Sequence, residues 1–338
     1  MSNQDPTSAS RKQDHIELAF ESVVNAAQND TRFQYEPLLS AHPSSEELPT
    51  SFLGKSMRLP LWVSSMTGGT ELAGKINKNL AQACAEFGMG MGLGSCRNLL
   101  YEDTYFEDFN LRPIIGADLP FFANLGVAQV EELLRQGETA RITDMVGKLA
   151  ADGLIVHVNP LQEWLQPEGD RFKQSPLATI QELLEKVDIP IIVKEVGQGM
   201  GPESIRALMQ LPIAALDFGA LGGTNFSRLE LQRANKERRQ LFDNLSNVGH
   251  TASEMTNFVN TILEEEKGRI QCDQVIISGG IRSFLDGWHL INSINTNAIY
   301  AQGSGFLAHA RGDYQLLKNY VAGQAKGLAL AQAYLKVK

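Results

Sequence analysis

The stretch Ile189-Pro190-Ile191-Ile192-Val193-Lys194-Glu195-Val196-Gly197 decides the fold. Its apolar residues run on without alternating with polar ones, so both faces of the strand they form are buried, as in parallel strands covered by helices. Working outward, runs of the same kind occur at residues 61–66, 89–93, 121–125, 154–158, 214–218, 274–277 and 298–301, which with 189–196 makes eight. Most are followed by glycine or a small polar residue and then a helical pattern, as at 127–149 and 204–210. Strand then helix, eight times over, predicts an α/β fold, a (β/α)8 TIM barrel, with a doubly wound open sheet as the rival.

The tail, 306–335, is rich in Ala and Leu and reads as closing helices, while 225–268 is a long connection between the sixth and seventh strands. Its charged stretches 236–239 and 264–267 suggest a helical insertion within one domain spanning 1–338, with disorder expected over 1–10.

Composition narrows the function classes. With 43% hydrophobic and 20% charged residues the chain can bury a large core. A net charge of -9 gives no general attraction to nucleic acid or anionic lipid, so a phosphorylated ligand would have to be small and locally held. Cys84, Cys96 and Cys272 lack metal-site spacing and suit a reducing compartment. No signal-like or membrane-length apolar stretch is seen, so a cytoplasmic protein is expected.

In such a barrel the chemistry lies just after each strand. Those positions carry Ser65-Met66-Thr67-Gly68-Gly69, Gly94-Ser95-Cys96-Arg97, Asn124-Leu125-Gly126 and His157-Val158-Asn159-Pro160-Leu161-Gln162-Glu163. The last three are Gly222-Gly223-Thr224, Ser278-Gly279-Gly280 and Ala301-Gln302-Gly303-Ser304-Gly305. One Gly-Gly pair only turns the chain, but three at the last three strands favour a bound phosphate, because glycine lets backbone N–H groups come close to it. Lys194, inside an apolar run, needs Glu195, another group or a bound anion to neutralise it. A reduced flavin carrying negative charge suits it better than a phosphosugar.

Glu163 could give one carboxylate to Mg2+, whose other ligands come from phosphate and water. Read alone, His157 is equally a satisfied core histidine and Glu163 a carboxylate at a helix N-terminus. Ser10-Arg11-Lys12-Gln13-Asp14-His15-Ile16 is either a solvated helix cap or an arm closing over a polyanionic substrate.

Taken together, these motifs, with Gln166-Pro167-Glu168-Gly169-Asp170, Val193-Lys194-Glu195-Val196-Gly197 and Ser278-Gly279-Gly280-Ile281-Arg282, resemble the type 2 isopentenyl-diphosphate isomerases in the same order from about Arg11 to Leu307. The resemblance implies interconversion of isopentenyl and dimethylallyl diphosphate with FMN, Mg2+ and NADPH or NADH as flavin reductant. It further implies flavin contacts at Ser65, Met66, Thr67, Ser95, Asn124, Lys194 and Thr224, and Gly279, Gly280, Ala301 and Gln302 at the flavin phosphate. Arg11, Lys12, Arg97, His157 and Asn159 would grip the diphosphate and Glu163 would hold Mg2+. Gln162 would lie at the reacting carbons and Glu230 would relay protons. A homo-oligomer, tetramer or larger, is implied as well. Cys96 stands where the family usually has glutamine, Gln198 where it has an aromatic, and the 225–268 connection is longer than usual. The alternatives are an FMN oxidoreductase of the α-hydroxyacid oxidase type, using Arg282 for a carboxylate, and a non-catalytic flavin- or phosphate-binding protein.

Overall fold

The computed structural model describes residues 8–338. The expectation of disorder over 1–10 lies, for residues 1–7, outside the described residues, whereas Ser8–Leu18 is helical. Eight parallel strands close on themselves: β1 (Leu61–Val63), β2 (Gly90–Gly92), β3 (Phe121–Gly126), β4 (Gly153–Val158), β5 (Ile191–Glu195), β6 (Ala215–Asp217), β7 (Gln274–Ile277) and β8 (Asn297–Gln302). Each falls within or overlaps one of the apolar runs, and β8 pairs back onto β1 through Tyr300 with Leu61, Ala301 with Trp62 and Gln302 with Val63. The barrel thereby excludes the open-sheet rival.

Two cores result from this closure. Side chains alternate along a strand, so one set fills the barrel and the other meets the helices. The inner set comprises Trp62, Phe122, Ile155, Ile192, Ala215, Ile276, Ile299 and Ala301. Gly90 on β2 leaves room for the Trp62 ring, which an added Cβ would strike. The N-terminal end is plugged by a hairpin, Thr50–Phe52 with Lys55–Met57, whose Phe52 and Met57 enter the inner core at 0% and 1% exposure. Its turn places Leu53 at φ 52 and Gly54 at φ 74, and the second of these suits glycine.

The outer helices follow local signals. Helix Glu71–Phe87 starts at Thr70, whose side chain accepts from Ala73 N, and stops at Gly88 in the left-handed conformation at φ 69. It buries Ala73, Ile76, Asn77, Leu80 and Cys84, the spacing of one helical face. Within the long connection, helix Ala252–Glu265 buries Met255, Val259 and Ile262 and packs on helix Pro202–Met209, so it belongs to the barrel's own outer ring. The rest of the connection lies before it: helices Phe226–Arg233 and Lys236–Phe242 and the turn Asp243–Asn247. Helix Phe226–Arg233 packs on Pro160–Leu165, the helix after β4. Helices Ser304–Ala310 and Tyr314–Tyr334 close the tail. Among the described residues no helix is long and apolar enough to cross a membrane.

Candidate active site

The inner side of the barrel changes character two residues beyond the apolar layer. Alternation carries Phe122 to Asn124, Ile155 to His157, Ile192 to Lys194, Ala215 to Asp217 and Ile276 to Ser278, so polar side chains floor the C-terminal mouth. Above this floor lies a cavity of about 740 Å³. Its walls hold Ser65, Met66 and Thr67 from the loop after β1, Lys194 from β5 and Thr224 from the loop after β6. Gly279 and Gly280 follow β7, and Ala301 and Gln302 end β8. The loops after β6 and β7 meet backbone to backbone: a Cβ on Gly222 would lie 3.1 Å from the Gly280 Cα, and Gly280 itself has φ 73. Ser65 Oγ is buried without a hydrogen-bond partner among the described residues, a polar atom left for a ligand.

Two of the expected flavin contacts stand outside this lining. Ser95 is exposed in the loop after β2, and Asn124 is buried with Oδ1 2.7 Å from His157 Nδ1. With that carbonyl oxygen as acceptor, the histidine proton sits on Nδ1 and Nε2 is left as an acceptor. Burial, and then the positive charge of Lys194, lower the imidazole to about 4, so it is neutral at pH 7.

A second group assembles beside the cavity, on the loops after β2, β3 and β4. Asn159, 2% exposed, donates through Nδ2 to Gln162 Oε1 and to Glu163 Oε1, both at 3.0 Å. Glu163 Oε2 accepts from Asp170 N at 2.7 Å. Asp170 Oδ2 accepts from Gln129 Nε2 at 2.8 Å and pairs with Arg97 Nη1 at 3.2 Å. Helical spacing puts 159, 162 and 163 together, because side chains three and four apart share a face. His157, the in-register partner of Lys194, joins the two groups. Among the described residues there is no cluster of three His, Cys, Asp or Glu able to hold a metal, so Glu163 offers a single carboxylate.

Other expected residues lie elsewhere. Arg11 and Lys12 are exposed on helix Ser8–Leu18 and do not line the cavity. Glu230 is 4% exposed and pairs with Arg233 at 2.8 Å, while Phe226 and Leu229 of the same helix form part of the cavity wall. Sequence reasoning missed Arg311 and Tyr320, both in the lining; Tyr320 donates to Gln302 Oε1 at 2.7 Å. Two residues that the resemblance set apart, Cys96 and Gln198, are also placed. Burial pushes the Cys96 thiol up to about 12, which makes it inert as a nucleophile. Gln198 Nε2 donates to the carbonyls of Leu245 at 3.0 Å and Val248 at 2.6 Å, and Ser227 Oγ donates to Gln198 Oε1 at 2.6 Å, all in the long connection.

A closed parallel barrel with a glycine-walled cavity at the C-terminal ends of its strands defines a TIM-barrel enzyme. The flavin-binding domain of baker's yeast flavocytochrome b2 superposes with a TM-score of 0.60 at 14% identity, covering 95% of this chain and 81% of that one, which bears on fold alone. No family model matches the chain. It is 36% identical over 282 residues to the isopentenyl-diphosphate delta-isomerase of Rickettsia felis, covering 82% of this chain and 79% of that protein. The isopentenyl-diphosphate delta-isomerase of Rickettsia africae is 34% identical over 316 residues, 92% and 89% of the two. The chain belongs to the isopentenyl-diphosphate delta-isomerase family.

Proposed function

We propose that this protein interconverts isopentenyl and dimethylallyl diphosphate with FMN in the barrel cavity. The observation that carries the reading is the adjacency of two sites of different chemistry: a glycine-walled cavity floored by Lys194, and the Asn159–Gln162–Glu163 cluster beside it. The cavity suits FMN through the unpartnered Ser65 Oγ, the glycines of the loops after β6 and β7 in its wall, where no side chain stands between backbone and ligand, and Arg282 and Arg311 beside them. Bound and reduced by NADPH or NADH, FMN supplies an electron-rich ring for proton transfer to and from the five-carbon skeleton, with no net redox change.

The chain's own residues would do the rest. Lys194 places a positive charge at the cavity floor, where low dielectric strengthens its effect on negative charge. Gln162, held by Asn159, would lie next to the reacting carbons, and Glu163 would share one Mg2+ with the diphosphate, since a single carboxylate suits an ion that keeps phosphate and water ligands. His157 Nε2, Arg97, Asn159, and the Arg11–Lys12 arm would receive the diphosphate, and its charge would draw a proton onto His157. Glu230, which accepts from Arg233, would relay protons. A cytoplasmic homo-oligomer fits the reading, and exposed Ile16 at 69% and Phe20 at 88% give the N-terminal segment an apolar surface to bury in an assembly.

The α-hydroxyacid oxidase reading is disfavoured because, among the described residues, no histidine lines the cavity with Arg282. The deciding experiment is anaerobic conversion of isopentenyl diphosphate with Mg2+, FMN and NADPH, with and without prior flavin reduction. Turnover confined to reduced flavin, without stoichiometric NADPH loss, supports the isomerase. Bound, reducible FMN without turnover overturns it.

A further inference from the structure

What neutralises Lys194 is answered by the strand beside it. Glu195 is near enough for Lys194 to act on its charge, but its Oε2 is turned to the backbone N–H groups of Gly197, Gln198 and Gly199, from which it accepts at 2.7, 2.7 and 2.8 Å. Lys194 Nζ donates to the Glu195 carbonyl oxygen at 2.6 Å, a contact that brings no counter-charge. His157, on the other flank, is neutral. Across β5 and β6, however, Lys194 is in register with Asp217, and both extend the inner set, two residues beyond Ile192 and Ala215.

Asp217 is fully buried at 0% exposure. Its Oδ1 accepts from Ser278 Oγ on the next strand's end, and that hydroxyl accepts in turn from Gly219 N at 2.8 Å. Its Oδ2 has no hydrogen-bond partner among the described residues. A carboxylate with one bare oxygen in a barrel interior is costly unless a cation stands by it, and a buried ammonium is costly for the mirror reason. Burial pushes Asp217 above the ordinary carboxylate range, while Lys194, Ser278 and the Gly219 N–H pull it back.

We propose that Asp217 is the counter-charge of Lys194 and acts as a positioning residue, setting how much of the ammonium's field reaches a ligand on the cavity floor. Lys194 and Ser278 line the cavity and Asp217 does not, so it acts through them. The inference rests on the cavity being the flavin site. There, Lys194 favours negative charge on a reduced ring and Asp217 opposes it, so removing the carboxylate charge makes bound flavin easier to reduce.

Asp217→Asn keeps the shape and an acceptor for Ser278. Reductive titration of the flavin-loaded protein is expected to give a more positive midpoint potential in this variant than in the wild type. Ser278→Ala removes a donor from the carboxylate, favours its neutral form, and moves the potential the same way by less. The Ser278 variant decides alone if Asp217→Asn does not fold. An unchanged or more negative potential, with flavin bound stoichiometrically, overturns the proposal. A second readout needs no flavin: in an NMR titration of the Lys194 ammonium, the pH of proton loss falls in Asp217→Asn if Asp217 is the counter-charge. No change there overturns the pairing. A wild type that takes up no FMN refutes the flavin reading by itself, and the NMR titration still decides the pairing.

Discussion

Replacing Asn159 by Ala separates gripping from positioning. Its amide makes two hydrogen bonds at 3.0 Å, one to the neutral Gln162 and one to the Glu163 carboxylate. A neutral bond contributes about 0.5–1.5 kcal/mol and one to a charged group about 1.5–3 kcal/mol, so the pair amounts to roughly 2–4 kcal/mol. Part of that is recovered, because Gln162 and Glu163 are only half-buried and water can replace the lost donor. If about 2–3 kcal/mol of orientation is lost in the transition state, kcat falls roughly 30- to 150-fold at 1.4 kcal/mol per decade. The assay is steady-state isomerisation at saturating Mg2+ with reduced flavin, reporting kcat and KM separately, with flavin absorbance as the control for cavity integrity. The expected result is a fall in kcat with full flavin occupancy. A kcat within twofold of wild type, with only KM for isopentenyl diphosphate raised, would refute the positioning argument and leave Asn159 as a diphosphate ligand.

Glu163→Gln should retain FMN yet need much more Mg2+ for half-maximal rate; equal activity at limiting Mg2+ would remove Glu163 from the metal site. Lys194→Ala should weaken FMN retention or lower its potential, read as loss of the yellow chromophore or by reductive titration. His157 titrates near 4 folded and near 6.5 unfolded, so the unfolded chain binds more protons between those values. Its contribution to stability is complete above about pH 6.5 and is lost as pH falls towards 4, and denaturant titrations of His157→Gln should show a shallower loss across that window. Phe52→Ala empties the plug of the barrel and should cost about 3–5 kcal/mol in chemical unfolding while leaving flavin binding intact. A loss below about 1 kcal/mol would mean the hairpin contributes little to the inner core.

The barrel was readable because its strands are buried on both faces, and continuous apolar runs such as 154–158 and 189–196 record that directly. The hairpin 50–57 left no such trace: it contributes two large side chains, Phe52 and Met57, among exposed or half-buried neighbours such as Ser51 and Lys55. Gln162 was singled out through the family resemblance and Glu163 as a lone carboxylate in a polar span; that both meet the Asn159 amide is what the structure adds. The pairing of Arg97 with Asp170 spans 73 positions and could not be inferred from either loop alone. Asp217 was hidden in a run read for its apolar residues, although a carboxylate between Leu216 and Phe218 was itself the signal, by the same reasoning that singled out Lys194. Glu230 was named through the family resemblance alone, and only the fold reveals its pairing with Arg233.

Gln198 gives the long connection an anchor on the barrel. Its side chain ties down carbonyls at 245 and 248 and the hydroxyl of Ser227, so the glutamine and the connection it anchors form one packed unit. A connection cut short over 225–248 should therefore leave the Gln198 amide without these partners, and a loop transplanted onto another barrel of this kind should need position 198 moved with it.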